Sequence, residues 1–408
     1  MNDFKINTKK ELECFVGENW NILNDYLDKE QNKFPSLIYA SVDIRESKHK
    51  FAPVDFNMYP AGFNNICQFD RLSSADHFTN YFKFEKHENV KTIGVWVESH
   101  TKNLFYLDHL NSLKYILEKS GHKVFFISHD ENLFPAENHQ IDLTSQSGDP
   151  ISIHQLNIKN GIVSISEYEI DFIILNNDQS KEISIDWDNL STPIAPSPKI
   201  GWFSRKKTTH FEFYHQVVEN FCQEFSINPD LLEAKFKSVT NIDFIKKEGL
   251  EKLAQEVDSL KASFSQQDAP IYVKADSGTY GMGISVVNSG QEIMDMNRKK
   301  RNKMDVGKNN LKFNAVLIQE GIETVLKFDE APAEVAIYMV NSVPTGGFLR
   351  TNSSRDSKGN LNARGMVYQK YCITEIKELA DHKQKEAVYS IIARLSHLAG
   401  QMEASKLN

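Results

Sequence analysis

The chain has 408 residues, 40% hydrophobic and 25% charged, which allows two or three domains around a substantial core. A formal net charge of −8 excludes a broadly basic nucleic-acid-binding surface, and no apolar run is long enough to span a bilayer. Four scattered cysteines, Cys14, Cys67, Cys222 and Cys372, form no CxxC and no Cys/His pair at zinc spacing, which predicts reduced, buried thiols in a cytoplasmic protein. The opening MNDFKINTKKELECF has no basic segment leading into an apolar one, so no secretory signal is read there.

Residues 1–35 read as a polar helical lead in which Leu12, Phe15 and Leu23 are only loosely periodic. Leu37–Asp43, Thr92–Val97, Lys123–Ser128 and Asp171–Leu175 are short runs rich in Val, Ile and Phe, which predicts strands. Between the second and third, Leu104–Gly121 carries Leu107, Leu110, Leu113, Tyr115, Ile116 and Leu117 as a helical stripe closed by glycine. Strand, helix and strand at this spacing predict a parallel α/β sheet.

Pro193, Pro196 and Pro198 in STPIAPSPKIG mark a boundary, giving an N-terminal α/β domain over 1–200 and a second domain over 201–408. Helices dominate the segment 210–265. Ile271–Ala275, Ile284–Val287, Ala315–Glu320, Ala333–Val340 and Gly346–Arg350 then follow closely, which predicts a mostly antiparallel sheet. Lys383–Met402 closes the chain as an amphipathic helix.

The run IYVKADSGTYGMGI (271–284) places Lys274 near a strand end and follows it with Ser277, Gly278, Thr279, Gly281 and Gly283. Glycines let backbone N–H groups approach a phosphate, hydroxyls add donors, and the lysine supplies a charge. The same run also suits an ordinary glycine-rich hairpin. It is neither a P-loop nor a dinucleotide fingerprint, because it leads into a strand rather than a helix. ATP-grasp enzymes and protein kinases close such a strand–loop–strand flap over phosphates, and the kinase HRD and DFG signatures are missing.

Further on, AVLIQEGI (315–322) ends an apolar strand in Gln319, Glu320 and Gly321, as an adenine-binding hinge would, with Glu323 placed for ribose hydroxyls. GGFLRTNSSRDSKGNLNARG (346–365) gathers Arg350 and Arg364, which can neutralise a transferring phosphoryl group. Asn352, Asp356, Asn360 and Asn362 in that stretch offer oxygens suited to Mg²⁺.

Together these strings resemble the ATP-grasp type of bacterial glutamate–cysteine ligase. VKADSGTYGMGI (273–284), QEGI (319–322), GGFLR (346–350) and NLNARGM (360–366) carry the resemblance in the second half. SVDIR (41–45), APVDFNMYPAGFNN (52–65), ESHTKNLFY (98–106), ILNNDQS (174–180) and GWFSRKKTTHF (201–211) carry it in the first. It covers roughly residues 35–400 and implies an ATP-grasp fold after the N-terminal domain, ATP and Mg²⁺, and formation of γ-glutamylcysteine from glutamate and cysteine. It also implies that Lys274, Ser277, Gly278, Thr279, Gly281 and Gly283 face the ATP phosphates, with Gln319, Glu320 and Ile322 at the adenine. The acidic strand and Glu-x-Asn metal motif of many ATP-grasp enzymes do not follow.

The expected chemistry is attack of the glutamate γ-carboxylate on ATP, then attack of the cysteine amine on the acyl phosphate, with Lys274, Arg350 and Arg364 neutralising charge. Asp43, Arg45, Asp55, Asn57, Asn64 and Asn65 pair opposite charges with amides, as recognition of a zwitterionic amino acid requires; structural ion pairs and Asx turns would use the same residues. Arg205, Lys206 and His210 suit either phosphate contacts or a solvated helix start. Arg298–Lys312 contains seven basic residues and one acid, which reads as a solvated insertion, with an RNA-binding loop as the alternative. His100 and His109 have no partner at metal spacing. Another ATP-grasp carboxylate–amine ligase, using a different amino acid, remains the alternative reading of the whole.

Overall fold

The structure is a computed structural model that describes residues 4–85, 87–99, 102–135, 138–277, 283–305, 314–373 and 383–407. Gly278, Thr279 and Gly281, His100, and residues 306–312 of the basic run lie outside the described residues.

A reciprocal cap starts the first helix. Thr8 Oγ1 accepts from the Glu11 N–H at 3.2 Å while Glu11 Oε2 accepts from the Thr8 N–H at 3.0 Å, opening α1 (Lys9–Glu18). After Asn19 comes α2 (Trp20–Gln31), and this break explains the loose periodicity of the lead. Each helix keeps its own stripe: Leu12, Val16, Leu23 and Leu27 are buried in the core shared with the C-terminal helix Lys383–Leu407.

Two strands follow, β1 (Tyr39–Glu46) and β2 (Phe51–Asn57), then α3 (Gln68–Phe84). The α/β unit comprises β3 (Thr92–Val97), α4 (Leu104–Lys119) and β4 (Lys123–Ser128), then β5 (Gln140–Thr144) and β6 (Pro150–Gln155). The small strands β7 (Asn157–Lys159), β8 (Ile162–Ile165) and β9 (Tyr168–Glu169) form a separate meander before β10 (Phe172–Asn176) and β11 (Ile194–Ala195). The sheet order is β11-β10-β3-β4-β6-β5, parallel from β11 to β6, with β5 antiparallel at the edge. The hairpin and meander over 140–169 lie outside the elements read from sequence.

The second half supplies α5 (Lys207–Phe225), β12 (Phe236–Thr240), α6 (Leu250–Ala262), β13 (Ile271–Ala275) and β14 (Ile284–Val287). Short helices α7 (Gly290–Met294) and α8 (Arg298–Asp305) lead to β15 (Ala315–Glu320). The strands pair antiparallel as β12-β15-β13-β14 and share a core with α6 through Val239, Leu253, Val257, Ile271, Val273 and Ile318. The last strands are β16 (Lys327–Phe328), β17 (Ala331–Val340), β18 (Val343–Thr351) and β19 (Val367–Lys370).

One strand expectation is corrected here. Leu37–Asp43 belongs not with the parallel strands but to an antiparallel sheet, β19-β18-β17-β1-β2, so the first-half strands β1 and β2 complete a sheet begun by the last third of the chain. The reason is in the alternation. Ala40, Val42 and Ile44 are wholly buried, whereas Ser41, Asp43 and Arg45 form a polar face that a parallel strand covered on both sides would not tolerate. The apolar face packs on the C-terminal helix so tightly that a Cβ on Gly400 would meet the Phe56 ring at 2.5 Å.

The expectation of four reduced thiols is also corrected. Cys67, which caps α3, and Cys372, beyond β19, form a disulfide with their Cα atoms 5.6 Å apart, while Cys14 and Cys222 are free. A separation of 305 residues hides such a pair from any spacing rule. Among the described residues no helix is long and apolar enough to cross a membrane.

Candidate active site

Period-two alternation and strand register put five charged side chains on one face of the antiparallel sheet that β1 and β2 complete. Asp43 and Arg45 come from β1, Asp55 from β2, Glu334 from β17 and Arg350 from β18; Asp43 faces Asp55 in register, and Glu334 faces Arg350. Arg350 Nη1 donates to Asp43 Oδ2 at 2.6 Å and to Glu334 Oε1 at 2.7 Å. Arg45 Nε donates to Glu334 Oε2 at 2.7 Å. Arg45 also donates to the Tyr272 hydroxyl at 2.9 Å and to the Ile322 and Gly359 carbonyls, pinning both sheets and the 352–366 loop together.

The neighbouring four-stranded sheet contributes Lys274. An extra residue in β2 at Val54 shifts the register between Asp43 and Ile44, and the Val54 carbonyl accepts from Lys274 Nζ at 2.6 Å. Gln319 Oε1 accepts from the same ammonium at 2.7 Å, leaving Gln319 Nε2 buried without a partner among the described residues. Burial depresses the Lys274 pKa to about 8, with Asp55 opposing the shift and Lys207 assisting it. Beside it Lys207 Nζ donates to Asp55 Oδ1 at 2.7 Å. Asp276, directly after β13, accepts from the Thr208 N–H and hydroxyl at 2.8 and 2.6 Å, fixing the start of α5 to the base of the glycine-rich loop.

These groups line a cavity of about 50 Å³ with Asn360 and Asn362 on its rim. Burial works against ionising Glu334, but Arg45 and Arg350 outweigh it and hold that carboxyl below its usual range. For Asp43 burial prevails, reinforced by Glu334 and Asp55, and its carboxyl is raised despite Arg350. At the strand end, Glu320 Oε2 accepts from the buried Lys50 Nζ at 2.9 Å, and the Gly321 N–H bonds the Pro270 carbonyl at 2.7 Å. A Cβ on Gly321 would lie 2.6 Å from the Pro270 ring, so this hinge requires glycine. Glu320 and Ile322 face both this cavity and a third one of about 480 Å³ on the far side of the hinge.

On the other side of Arg350 opens a crevice of about 260 Å³, reached through Asp43, Asp55, Lys207 and Asn362. The parallel sheet forms its far wall, with Glu98 just after β3 and Asp178 just after β10. Asn57 lines this crevice, its amide closing an Asx turn on Tyr59.

The structure thus gathers Asp43, Arg45, Asp55, Lys274, Gln319, Glu320, Ile322, Arg350, Asn360 and Asn362. Ser277 and Gly283 flank the undescribed tip of the β13–β14 hairpin. Asn64 and Asn65 lie in the turn before α3, outside both cavity linings. Asn352 is employed elsewhere: its amide donates to the Leu361, Ala363 and Arg364 carbonyls and accepts from Ser354. Asp356 turns back on the Lys358 N–H, Arg364 is exposed, and Glu323 accepts from Ser357. Arg205 and His210 are buried against Glu403 on the C-terminal helix, with Arg205 making bonds of 2.7 and 2.9 Å, while Lys206 is exposed. His109 is structural, sandwiched between the Phe63 N–H and Asn176 Oδ1. Glu334, Lys50, Lys207, Glu98 and Asp178 escaped the sequence reading. An acid inside the apolar run of β17 was the signal available for Glu334.

The glutamate-cysteine ligase family profile matches residues 13–404. A crystal structure of a protein from Methylobacillus flagellatus KT, assigned as a gamma-glutamylcysteine synthetase, superposes with a TM-score of 0.86 at 31% identity, covering 97% of this chain and 96% of that one. None of the curated proteins matches significantly. With nearly its whole length inside the family profile and its charged residues gathered around two joined cavities, the chain belongs to the glutamate–cysteine ligase family of ATP-dependent enzymes that form a carbon–nitrogen bond.

Proposed function

We propose that the joined cavities are the active site of an ATP-grasp ligase that makes γ-glutamylcysteine, the first step toward glutathione, by way of γ-glutamyl phosphate. The observation that carries this reading is the buried Lys274, held 2.6 Å from the Val54 carbonyl beside a wall of Asp43, Asp55, Glu334 and Arg350. A cavity of about 50 Å³ is too small for a whole nucleotide. The nucleotide therefore runs from the third cavity past the Glu320–Ile322 hinge, bringing its phosphates under the β13–β14 hairpin. Lys274, Lys207 and Arg350 then balance the charge of the transferring phosphoryl group, and Gln319 offers its unpartnered amide to the nucleotide. Ser277, Gly278, Thr279, Gly281 and Gly283 cover the phosphates, whereas Arg364 is exposed and lines none of the three cavities.

The oxygen-rich wall fits Mg²⁺. Burial raises the Asp43 carboxyl, with Glu334 and Asp55 adding to the shift, and a cation beside it would favour the charged form. Asp43, Asp55 and Glu334, with Asn360 and Asn362, would hold the ion, and it would supply charge neutralisation to the phosphates. Small-molecule substrates, no nucleic-acid partner and a cytoplasmic location complete the proposal. The test is phosphate release and product mass with ATP, glutamate and a panel of amines. Cysteine-dependent release of ADP, phosphate and γ-glutamylcysteine is the expected result. Turnover indifferent to cysteine would reject the substrate assignment, and no glutamate-dependent turnover would reject the ligase itself.

A further inference from the structure

Lys207 and Lys274 stand on parts of the molecule that have different cores. The buried stripe of α5, with Tyr214, Val217 and Phe221, belongs to the core of the C-terminal helix, whereas Val273 of β13 belongs to the core of α6. Their ammonium groups nevertheless meet at the end of β2. Lys207 Nζ donates to Asp55 Oδ1 at 2.7 Å, and Lys274 Nζ donates to the adjacent Val54 carbonyl at 2.6 Å. The relative placement of the two lysines depends on whatever joins α5 to β13.

That joint is Asp276. Lys206, at the N-cap of α5, makes no side-chain cap bond among the described residues, so the helix begins without a cap of its own. Asp276 supplies the missing acceptors from the neighbouring sheet. Its carbonyl accepts from the Lys207 N–H at 2.7 Å, and its Oδ1 accepts from the Thr208 N–H and hydroxyl at 2.8 and 2.6 Å. The Asp276 N–H donates to the Ala315 carbonyl at 3.1 Å, which ties the residue back to β15. A carboxylate in this position also complements the positive end of the helix dipole. Asp276 is 4% exposed, and neither it nor Thr208 lines any of the three cavities. Its bonds are directed at α5 rather than at a ligand. The other side of Lys207 is already pinned, because Arg205 is tied to Glu403 and the Lys207 cation lies 4.6 Å from the centre of the Trp202 ring. One turn along the helix, the Phe211 and Phe236 rings lie 5.9 Å apart and form the apolar part of the same junction.

We infer that Asp276 is a positioning residue: it caps α5 from the neighbouring sheet and thereby registers Lys207 against Lys274 around the transferring phosphoryl group. The inference rests on the ligase reading above and adds to it a residue that touches neither substrate. A cap provided by residue 206 would stabilise α5 equally well, but it would leave the helix free to shift against β13. Taking the cap from β13 makes one set of hydrogen bonds end the helix and set the spacing of the two cations.

The test separates capping from positioning. Asp276→Asn keeps an acceptor oxygen for Thr208 and should hold kcat/KM for ATP within about threefold of wild type. Asp276→Ala should lower it by about 10–100-fold, the cost of misplacing a charged group by on the order of 1 Å. Because the loss acts through Lys207, adding Asp276→Ala to Lys207→Met should cost no more than about twofold beyond Lys207→Met alone. Adding Lys206→Ser to Asp276→Ala gives α5 a local cap and should restore the denaturant midpoint without restoring kcat/KM. Recovery of both would make Asp276 a cap only and overturn the inference, as would losses that simply multiply in the Asp276→Ala, Lys207→Met enzyme. Asp276→Asn as impaired as Asp276→Ala would mean that a ligand reads the charge, which overturns it as well. Should Asp276→Ala not fold, Thr208→Val carries the same cycle. It removes one bond to Oδ1, keeps the N–H, and should lower kcat/KM by about 3–10-fold; no loss in that variant would overturn the inference. Wild-type enzyme without glutamate-dependent phosphate release would bring down the ligase reading first, and this inference with it.

Discussion

The cavity beside Lys274 holds about 50 Å³ and the crevice beyond Arg350 about 260 Å³, and their charges differ as much as their sizes. In the inner cavity acids and bases answer one another: Glu334 is shared by Arg45 and Arg350, and Arg350 also holds Asp43. In the outer crevice acids outnumber bases, and the strand ends carrying them are braced from behind by Tyr106 and Ser180. A phosphoryl group in transfer is best served by fixed dipoles and charges that need not reorganise. A small zwitterion that must enter and leave is served by open volume and a few directed groups. Buried ion pairs are a poor way to gain stability, so their concentration in the inner cavity fits preorganisation better.

The sharpest way to break this comparison is to remove the residue both cavities share. Arg350→Ala leaves Asp43 and Glu334 buried without their common partner, which should destabilise the fold by about 3–5 kcal/mol. It should also lower kcat on the order of 10³-fold, as loss of a charge-neutralising arginine does in phosphoryl transfer. Denaturant unfolding and steady-state kinetics read the two effects separately. A stable variant with kcat within about tenfold of wild type would remove the inner cavity from the chemistry.

Lys274→Ala probes the inner cavity alone. It should raise the ATP KM by about 10–100-fold, the loss of one charged hydrogen bond, with a weaker effect on the cysteine KM. An equal rise in both would mean that the two cavities are not distinct subsites. A milder version uses pH. Burial leaves the Lys274 pKa at about 8, so the free enzyme carries the ammonium below that pH and loses it above. Since ATP needs the charged form, kcat/KM for ATP should fall as pH rises through about 8. The kcat profile should be flatter, because bound phosphate favours the ammonium. Lys274→Arg, always charged, should lack that limb.

The two regions were also unequally legible. Lys274, Gln319, Glu320 and Arg350 sit at strand ends beside glycines, a local signature that a single window exposes. Asp43 and Arg45 could be read because alternating charge in a strand is local too. Glu98 and Asp178 became neighbours only through the β3–β10 pairing, 80 residues apart in sequence, and no window joins them. Cys67 and Cys372 were missed for the same reason. The five second-half strands read from the sequence all form, but β12, inside the segment read as helical, and β16 and β19 were not read. The sheet to which β1 belongs was not legible either, since pattern reports which faces are polar and not which strand lies alongside. Asn352 looked like a metal ligand by type, yet its amide is consumed by holding its own loop.

A third concentration of charge serves neither cavity and should respond least. Arg298–Asp305 forms α8, anchored by the buried Met304 and by the Arg301 guanidinium on the Met296 carbonyl, while Lys299, Lys300 and Lys303 point to solvent. Exposed lysines on a helix carry their charge in water, screened within about 8 Å at physiological salt. Neutralising them as Lys299→Gln, Lys300→Gln and Lys303→Gln removes no contact from either cavity lining. Ligation should therefore stay within about twofold of wild type, and unfolding free energy within about 0.5 kcal/mol. The RNA-binding alternative makes the opposite demand. If this helix were a nucleic-acid contact, the protein would bind single-stranded RNA with an affinity falling steeply with salt, and the triple substitution would flatten that slope by roughly two to three. A salt titration of the wild type and the variant, run beside the ligation assay, distinguishes a solvated helix from a functional surface. A steep slope in the wild type that the variant loses would add a partner that neither cavity accounts for.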